Sequence, residues 1–226
     1  MDWFKPCAAE FIATFALVFI GAGSIVANAA GGGFGNLGIA LAHGIVLAVF
    51  VSATMGISGG HVNPAVTIGA MATKKIPTNL GIRYIVAQIL GGSVGAYALK
   101  AVFAADKLSA VAFGAPVLGS GVTQTQAILM EAFLTFFLVF SIFGTAVDER
   151  APRLGGLAIG LVLVFDILVG GGVTGAAMNP ASAFGPALAS GGLSSKLSEH
   201  IVIYWLGPII GAVAAAVAYE NLFLKK

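Results

Sequence analysis

The sequence predicts an all-α membrane protein: six transmembrane helices plus two re-entrant half-helices, arranged as an inverted 3+3 repeat. Three observations carry this. The composition suits a chain dissolved in lipid, six apolar stretches are long enough to cross a bilayer, and residues of the first half recur in order in the second.

Of 226 residues, 58% are hydrophobic and 9% charged, and the mean hydropathy is +1.01. An ordinary soluble domain carries about 25% charged residues. Eleven basic and nine acidic residues cannot cover a globule of this size. A soluble enzyme, a nucleic-acid binder and a disordered regulator are excluded. The net charge of +2 gives no reason to expect a polyanionic partner. The single cysteine, Cys7, excludes an internal disulfide and a cysteine metal cluster. Met1 to Pro6 run straight into a span containing Glu10, which does not read as a cleavable signal.

The apolar stretches fall near 7–29, 37–57, 80–103, 126–147, 154–174 and 200–223. A transmembrane helix needs about 20 residues, so six use roughly 120 and leave no room for a soluble domain. Residues 1–226 form a single transmembrane domain, with halves of about 1–103 and 126–226 joined by a loop, 104–125. Two further segments, about 63–73 and 179–189, are apolar but too short to span.

With six spans, both termini share a face with the 2–3 and 4–5 connections. Lys5, Lys74, Lys75, Arg83, Arg150, Arg153, Lys225 and Lys226 fall there, against Lys100, Lys107 and Lys196 on the other side. The positive-inside rule makes that face cytoplasmic. The expected location is the cell membrane, as an integral multi-pass protein.

Glu10 to Phe19 matches Glu131 to Phe140 at an offset of 121. Gly56 to Ala65 matches Gly172 to Ala181 at 116, and Tyr84 and Gly91 match Tyr204 and Gly211 at 120. Three blocks in the same order indicate a duplication. Each half has an odd number of spans, so the second half enters from the opposite face. Equivalent short segments then meet at the midplane.

Those segments begin Asn63-Pro64-Ala65 and Asn179-Pro180-Ala181. Asn is a strong N-cap and Pro suits the first helical position. Each tripeptide therefore starts a helix, with about +0.5 of dipole charge at its tip. If each Asn oxygen caps its own helix, its NH2 points into a lumen. Such a lining donates to neutral, oxygen-bearing molecules and repels cations. Glu10 and Glu131, symmetry mates inside spans, are expected to hold free N–H groups of the re-entrant loops rather than to couple protons.

On the paired NPA motifs, Glu10 and Glu131, Ser58-Gly59-Gly60-His61 and Phe184-Gly185-Pro186, the chain resembles the aquaporins of the major intrinsic protein family. The resemblance implies a homotetramer in the lipid bilayer with one pore per subunit. It implies passive flow of water or small neutral solutes, with no cofactor. Counting from the motifs, the family's outer selectivity filter falls on His43, Ile167, Ala176 and Ser182. His-Ile-Ala is similar to the tonoplast type of plant aquaporin. The last position is usually Arg, so Ser182 implies a wider, less positive filter. Urea, ammonia or hydrogen peroxide then become plausible additions to water. Ala183 and Tyr204-Trp205 stand where glycerol facilitators carry other residues, which favours water over a glycerol or small-polyol facilitator.

Two other readings compete. A secondary transporter also uses inverted repeats and midplane half-helices, and a closed structural membrane protein shares the fold. No nucleophile–base pair suggests an enzyme. His61 is expected to tie down the first re-entrant loop, and His200 to sit at the interface. No histidine spacing suggests a metal. Asp166 has two readings: a hydrogen-bonded structural carboxylate, or a contributor to the outer vestibule or a subunit contact.

Overall fold

The computed structural model describes residues 3–152 and 154–224, the side chains of 195 and 196 excepted. Arg153, Lys225, Lys226 and the Lys196 side chain, all used in the charge reading, lie outside the described residues. Regular structure among the described residues is helical throughout.

Ten α-helices follow in order: α1 Phe4–Ala27, α2 Gly35–Ser58, α3 Pro64–Ala72, α4 Thr78–Ala98, α5 Ala105–Ala110, α6 Gln124–Ile142, α7 Leu157–Gly170, α8 Pro180–Ala189, α9 Leu193–Ile201 and α10 Gly207–Tyr219. Helical turns lengthen several of them, and α9 runs through Val202–Leu206 into α10. Among the described residues, five rods are then long and apolar enough to cross a membrane: Phe4–Gly32, Gly35–Ser58, Thr78–Ala101, Gln124–Val147 and Leu197–Leu224. Ile12, Val49, Leu90, Phe133, Leu161 and Ile210 face outward, as a lipid-facing surface requires.

The fifth expected span is shorter than its apolar stretch. Helix α7 has 14 residues, about 21 Å of rise. Pro152 and Gly155 (φ +58°) stop it at one end and the Gly170–Gly172 run at the other. Thr174, equivalent to the last residue of α2, is drawn away into loop contacts described below.

Helix α1 packs on α4 and α2, and α6 packs on α10 and α7; α2 and α7 meet at the centre. Bare glycines permit this last contact. A Cβ on Gly160 would run into the Gly44 carbonyl, and one on Gly44 would sit 2.5 Å from the Gly160 carbonyl. The short helices α3 and α8, at 9 and 10 residues, cover about half of a ~30 Å hydrocarbon core. Helix α3 packs on α10, and α8 on α4.

Residues 104–125 form a folded cap rather than a plain loop. It holds α5 and a tight turn at Ala112–Gly114, with Phe113 at φ 61°. Gly114 fits against Ala22, where a Cβ would come within 2.8 Å of backbone. The Gly119 N–H donates to the Val173 carbonyl at 2.9 Å. His200 is buried against Tyr204 and Phe184, near the start of the rod Leu197–Leu224. At the opposite face, Lys75 pairs with Glu220 at 2.8 Å. Arg150 there bridges Asp148 and the Phe223 carbonyl.

Candidate functional site

The two short helices begin as their sequences dictate. Asn63 Oδ1 accepts the Ala65 N–H at 2.8 Å, and Asn179 Oδ1 accepts those of Ala181 at 3.0 Å and Ser182 at 3.4 Å. Pro64 and Pro180 occupy the first helical position.

The loops before them share one backbone signature. Gly59, Gly60 and Val62 have positive φ, as do Gly175, Ala176 and Met178. That conformation is strained for a non-glycine and most of all for β-branched Val62. It turns the backbone N–H groups of each loop toward one buried carboxylate. Glu10 accepts from the N–H of His61 (2.9 Å) and Val62 (2.6 Å), from Ser58 Oγ (2.6 Å) and from Gln88 Nε2 (2.8 Å). Glu131 accepts from the N–H of Ala177 (3.0 Å) and Met178 (2.7 Å) and from Thr174 Oγ1 (2.6 Å). Both carboxylates have no exposed surface; each set of donors offsets the cost of taking a charge out of water. Tyr84 and Tyr204 complete the frame, donating to the Ser58 and Thr174 carbonyls at 3.0 and 2.8 Å.

The Asn amides depart from expectation in one respect. Asn63 Nδ2 donates to the Met178 carbonyl at 2.8 Å, and Asn179 Nδ2 to the Val62 carbonyl at 2.9 Å. The left-handed turns leave those carbonyls without a helical partner, so each loop is bolted to the other. An amide nitrogen has two hydrogens. The second on each Asn remains for the cavity that both residues line.

That cavity, of about 530 Å³, runs between the two halves. His43, Ile167, Ala176 and Ser182 all line it, as do Asn63, Asn179 and His61. His43 Nδ1 lies 2.8 Å from the Ile39 carbonyl, which leaves Nε2 as the ring's other polar atom. Gly21 makes room for that ring: a Cβ there would sit 2.6 Å from it. Ser182 turns its hydroxyl to the Asn179 carbonyl at 3.0 Å. Ala176 stands at a positive φ of 50°, its Cβ 3.2 Å from where one on Gly170 would lie. Beyond these four residues the wall is completed by cap residues 109–112 and 114–117. Past the Asn pair it is apolar, with Val51, Val66, Ile142 and Ile159.

His61 has both a loop role and a cavity face. Its ring Nδ1 is 3.1 Å from Thr67 Oγ1, and it packs edge-on against Tyr84. Asp166 fits neither expectation. It is 1% exposed, does not line the cavity, and neither oxygen meets a hydrogen-bond donor among the described residues.

The model of the Major intrinsic protein family matches residues 1–219. The chain belongs to this family. It is 44% identical to Aquaporin TIP4-4 of Zea mays over 98% of this chain and 88% of that protein. It is 40% identical to Aquaporin AqpM of Methanothermobacter marburgensis over 96% and 97%. The aquaglyceroporin from Plasmodium falciparum shares the fold, with a TM-score of 0.87 at 24% identity over 98% and 97% of the two chains. For a member of this family, Gln88 is the site residue that the sequence reading missed. Its one signal lay in the repeat: the equivalent position, 120 residues on, is Pro208. Glu131 accordingly has no counterpart to the Gln88 bond.

Proposed function

We propose that this integral membrane protein is a passive channel for water, with a filter open enough for small neutral solutes. One observation carries the reading: two half-helix N-termini and two cross-bonded Asn amides meet on the wall of a single cavity. Each tip contributes about half a positive charge. Together they oppose a monovalent cation at ~4 Å by on the order of 4 kcal/mol at an effective dielectric of 20. A water molecule instead offers its oxygen to the free amide hydrogens and is carried past.

In this reading His43, Ile167, Ala176 and Ser182 form the selectivity filter, and Asn63-Pro64-Ala65 and Asn179-Pro180-Ala181 the midplane constriction. The fixed loop frame around Glu10 and Glu131 supports a pore rather than a rocking transporter. The halves, about 1–103 and 126–226, act as an inverted repeat, and the working assembly is a homotetramer. The basic residues on the termini-bearing face support cytoplasmic termini, and the cell membrane is the proposed location. The names of the TIP and AqpM relatives support water as the first solute.

The test uses the purified protein in liposomes and stopped-flow shrinkage against sucrose, urea and glycerol. Fast water and urea flux, with urea abolished in Ser182→Arg, is the expected result. Fast water flux without urea would refute the open filter. Water flux no greater than in empty liposomes, from inserted protein, would refute the channel. A solute flux that follows an imposed proton gradient would favour the transporter.

A further inference from the structure

Polar side chains on the cavity wall are largely engaged. The amides of Asn63 and Asn179 bolt the loops together. The Ser182 hydroxyl donates to Asn179, and that of Ser109 to the Ala105 carbonyl at 2.8 Å. Asn36 is different. It lines the cavity, is exposed to it, and makes no side-chain hydrogen bond among the described residues.

Its position is set by the helix. Asn36 is the second residue of α2, on the face that presents Ile39, His43, Leu47 and Val51 to the cavity. Two helical turns, roughly 10 Å, separate it from His43. It leans on bare backbone: a Cβ on Gly171 would lie 3.2 Å from Asn36 Oδ1. Gly171 itself lines the cavity four residues after Ile167. The neighbouring wall is apolar, with Ile25, Ala112, Pro116 and Val117. A lone polar group on an apolar wall fixes the orientation of what enters.

We propose that Asn36 is a specificity-determining residue that captures planar amide solutes, the urea and formamide class, at the mouth before the filter. A carboxamide offers an acceptor oxygen and a donor NH2 side by side. A second amide pairs with it head to tail through two hydrogen bonds. Water forms such a pair no better here than with bulk water, and a polyol lacks the planar donor–acceptor pattern. This rests on the open-filter reading above, since amides that cannot pass Ser182 gain nothing from capture.

Stopped-flow measurements on liposomes holding the wild type, Asn36→Leu or Asn36→Asp test it, with water, urea and glycerol as probes. Asn36→Leu should lower urea permeability about thirtyfold, the effect of losing two net neutral hydrogen bonds. Water and glycerol flux should hold. Asn36→Asp keeps the shape and an acceptor but no donor, and urea should fall there too. Unchanged urea flux in both variants, beside a urea-permeable wild type, would overturn this inference alone. Loss of water and urea together would mean an obstructed mouth and would also overturn it. A wild type that passes water but no urea would overturn the open filter, and this inference with it.

Discussion

Glu131→Gln changes one atom and tests what holds the second re-entrant loop. The carboxylate accepts from Thr174 and Ala177 on one oxygen and from Met178 on the other. A Gln that keeps its oxygen toward the first pair turns its NH2 on the Met178 N–H, donor against donor. A buried N–H left unsatisfied costs about 1–3 kcal/mol. The remaining bonds lose their charge assistance, roughly half their strength. Removal of a buried charge returns part of this. A net cost of about 2 kcal/mol on the loop corresponds to roughly a 30-fold shift in its opening equilibrium. Hydrogen–deuterium exchange on peptides covering residues 176–178 reads that shift directly. Glu10→Gln should be milder, because the Gln88 amide can turn over and accept from the new NH2, whereas Pro208 offers nothing at the equivalent place. Exchange at 176–178 unchanged in Glu131→Gln, or a greater effect from Glu10→Gln at 60–62, would refute the reasoning.

Three further outcomes follow from named contacts. Gly21→Val should push the His43 ring into the cavity, given the 2.6 Å approach of a Cβ there; water flux should drop severalfold while gel filtration still shows folded protein. Gly44→Leu should separate α2 from α7 and cost about 3 kcal/mol or more by overpacking, read as a lower thermal midpoint and a poor folded yield. Arg150, through its guanidinium and its backbone N–H, holds the Asp148 carboxyl well below the usual carboxylate range, aided by the Tyr219 hydroxyl. A depressed carboxylate keeps its contribution above its unfolded value, near pH 4, and loses it only as pH falls through the folded one. Exchange at 219–224, corrected for intrinsic rate, should therefore stay flat from about pH 7 to pH 4, and Asp148→Asn should raise it across that window.

The parts of the site governed by local chemistry were legible in the sequence. Asn before Pro specifies a helix start wherever it stands, so α3 and α8 begin where the tripeptides put them. The paired Glu residues could be read because the repeat supplied each with a mate. Gln88 has no mate and escaped. The cross-bonds between Asn63 and Met178, and between Asn179 and Val62, depend on two loops meeting from opposite ends of the chain, which no local pattern encodes. The cap at 104–125 was hidden for the same reason: Gly114 and Gly119 fit Ala22 and Gly172, partners distant in sequence. The shortness of α7 was readable in Gly155–Gly156 and Gly170–Gly172, but the long apolar run outweighed those breakers. Asp166 was not legible: it lies buried off the cavity, and its carboxyl oxygens meet no hydrogen-bond donor among the described residues.

Water and proton permeability recorded on the same vesicles bear most directly on the Asn63–Asn179 junction. Water flux should far exceed that of protein-free liposomes, while an imposed pH gradient decays no faster than in those liposomes. In Asn179→Ala, which removes one amide, its cap on α8 and its bolt to Val62, the water advantage should fall or the proton barrier should leak. A wild type that conducts protons along with water, or an Asn179→Ala variant identical to it in both fluxes, would contradict the role given to that junction.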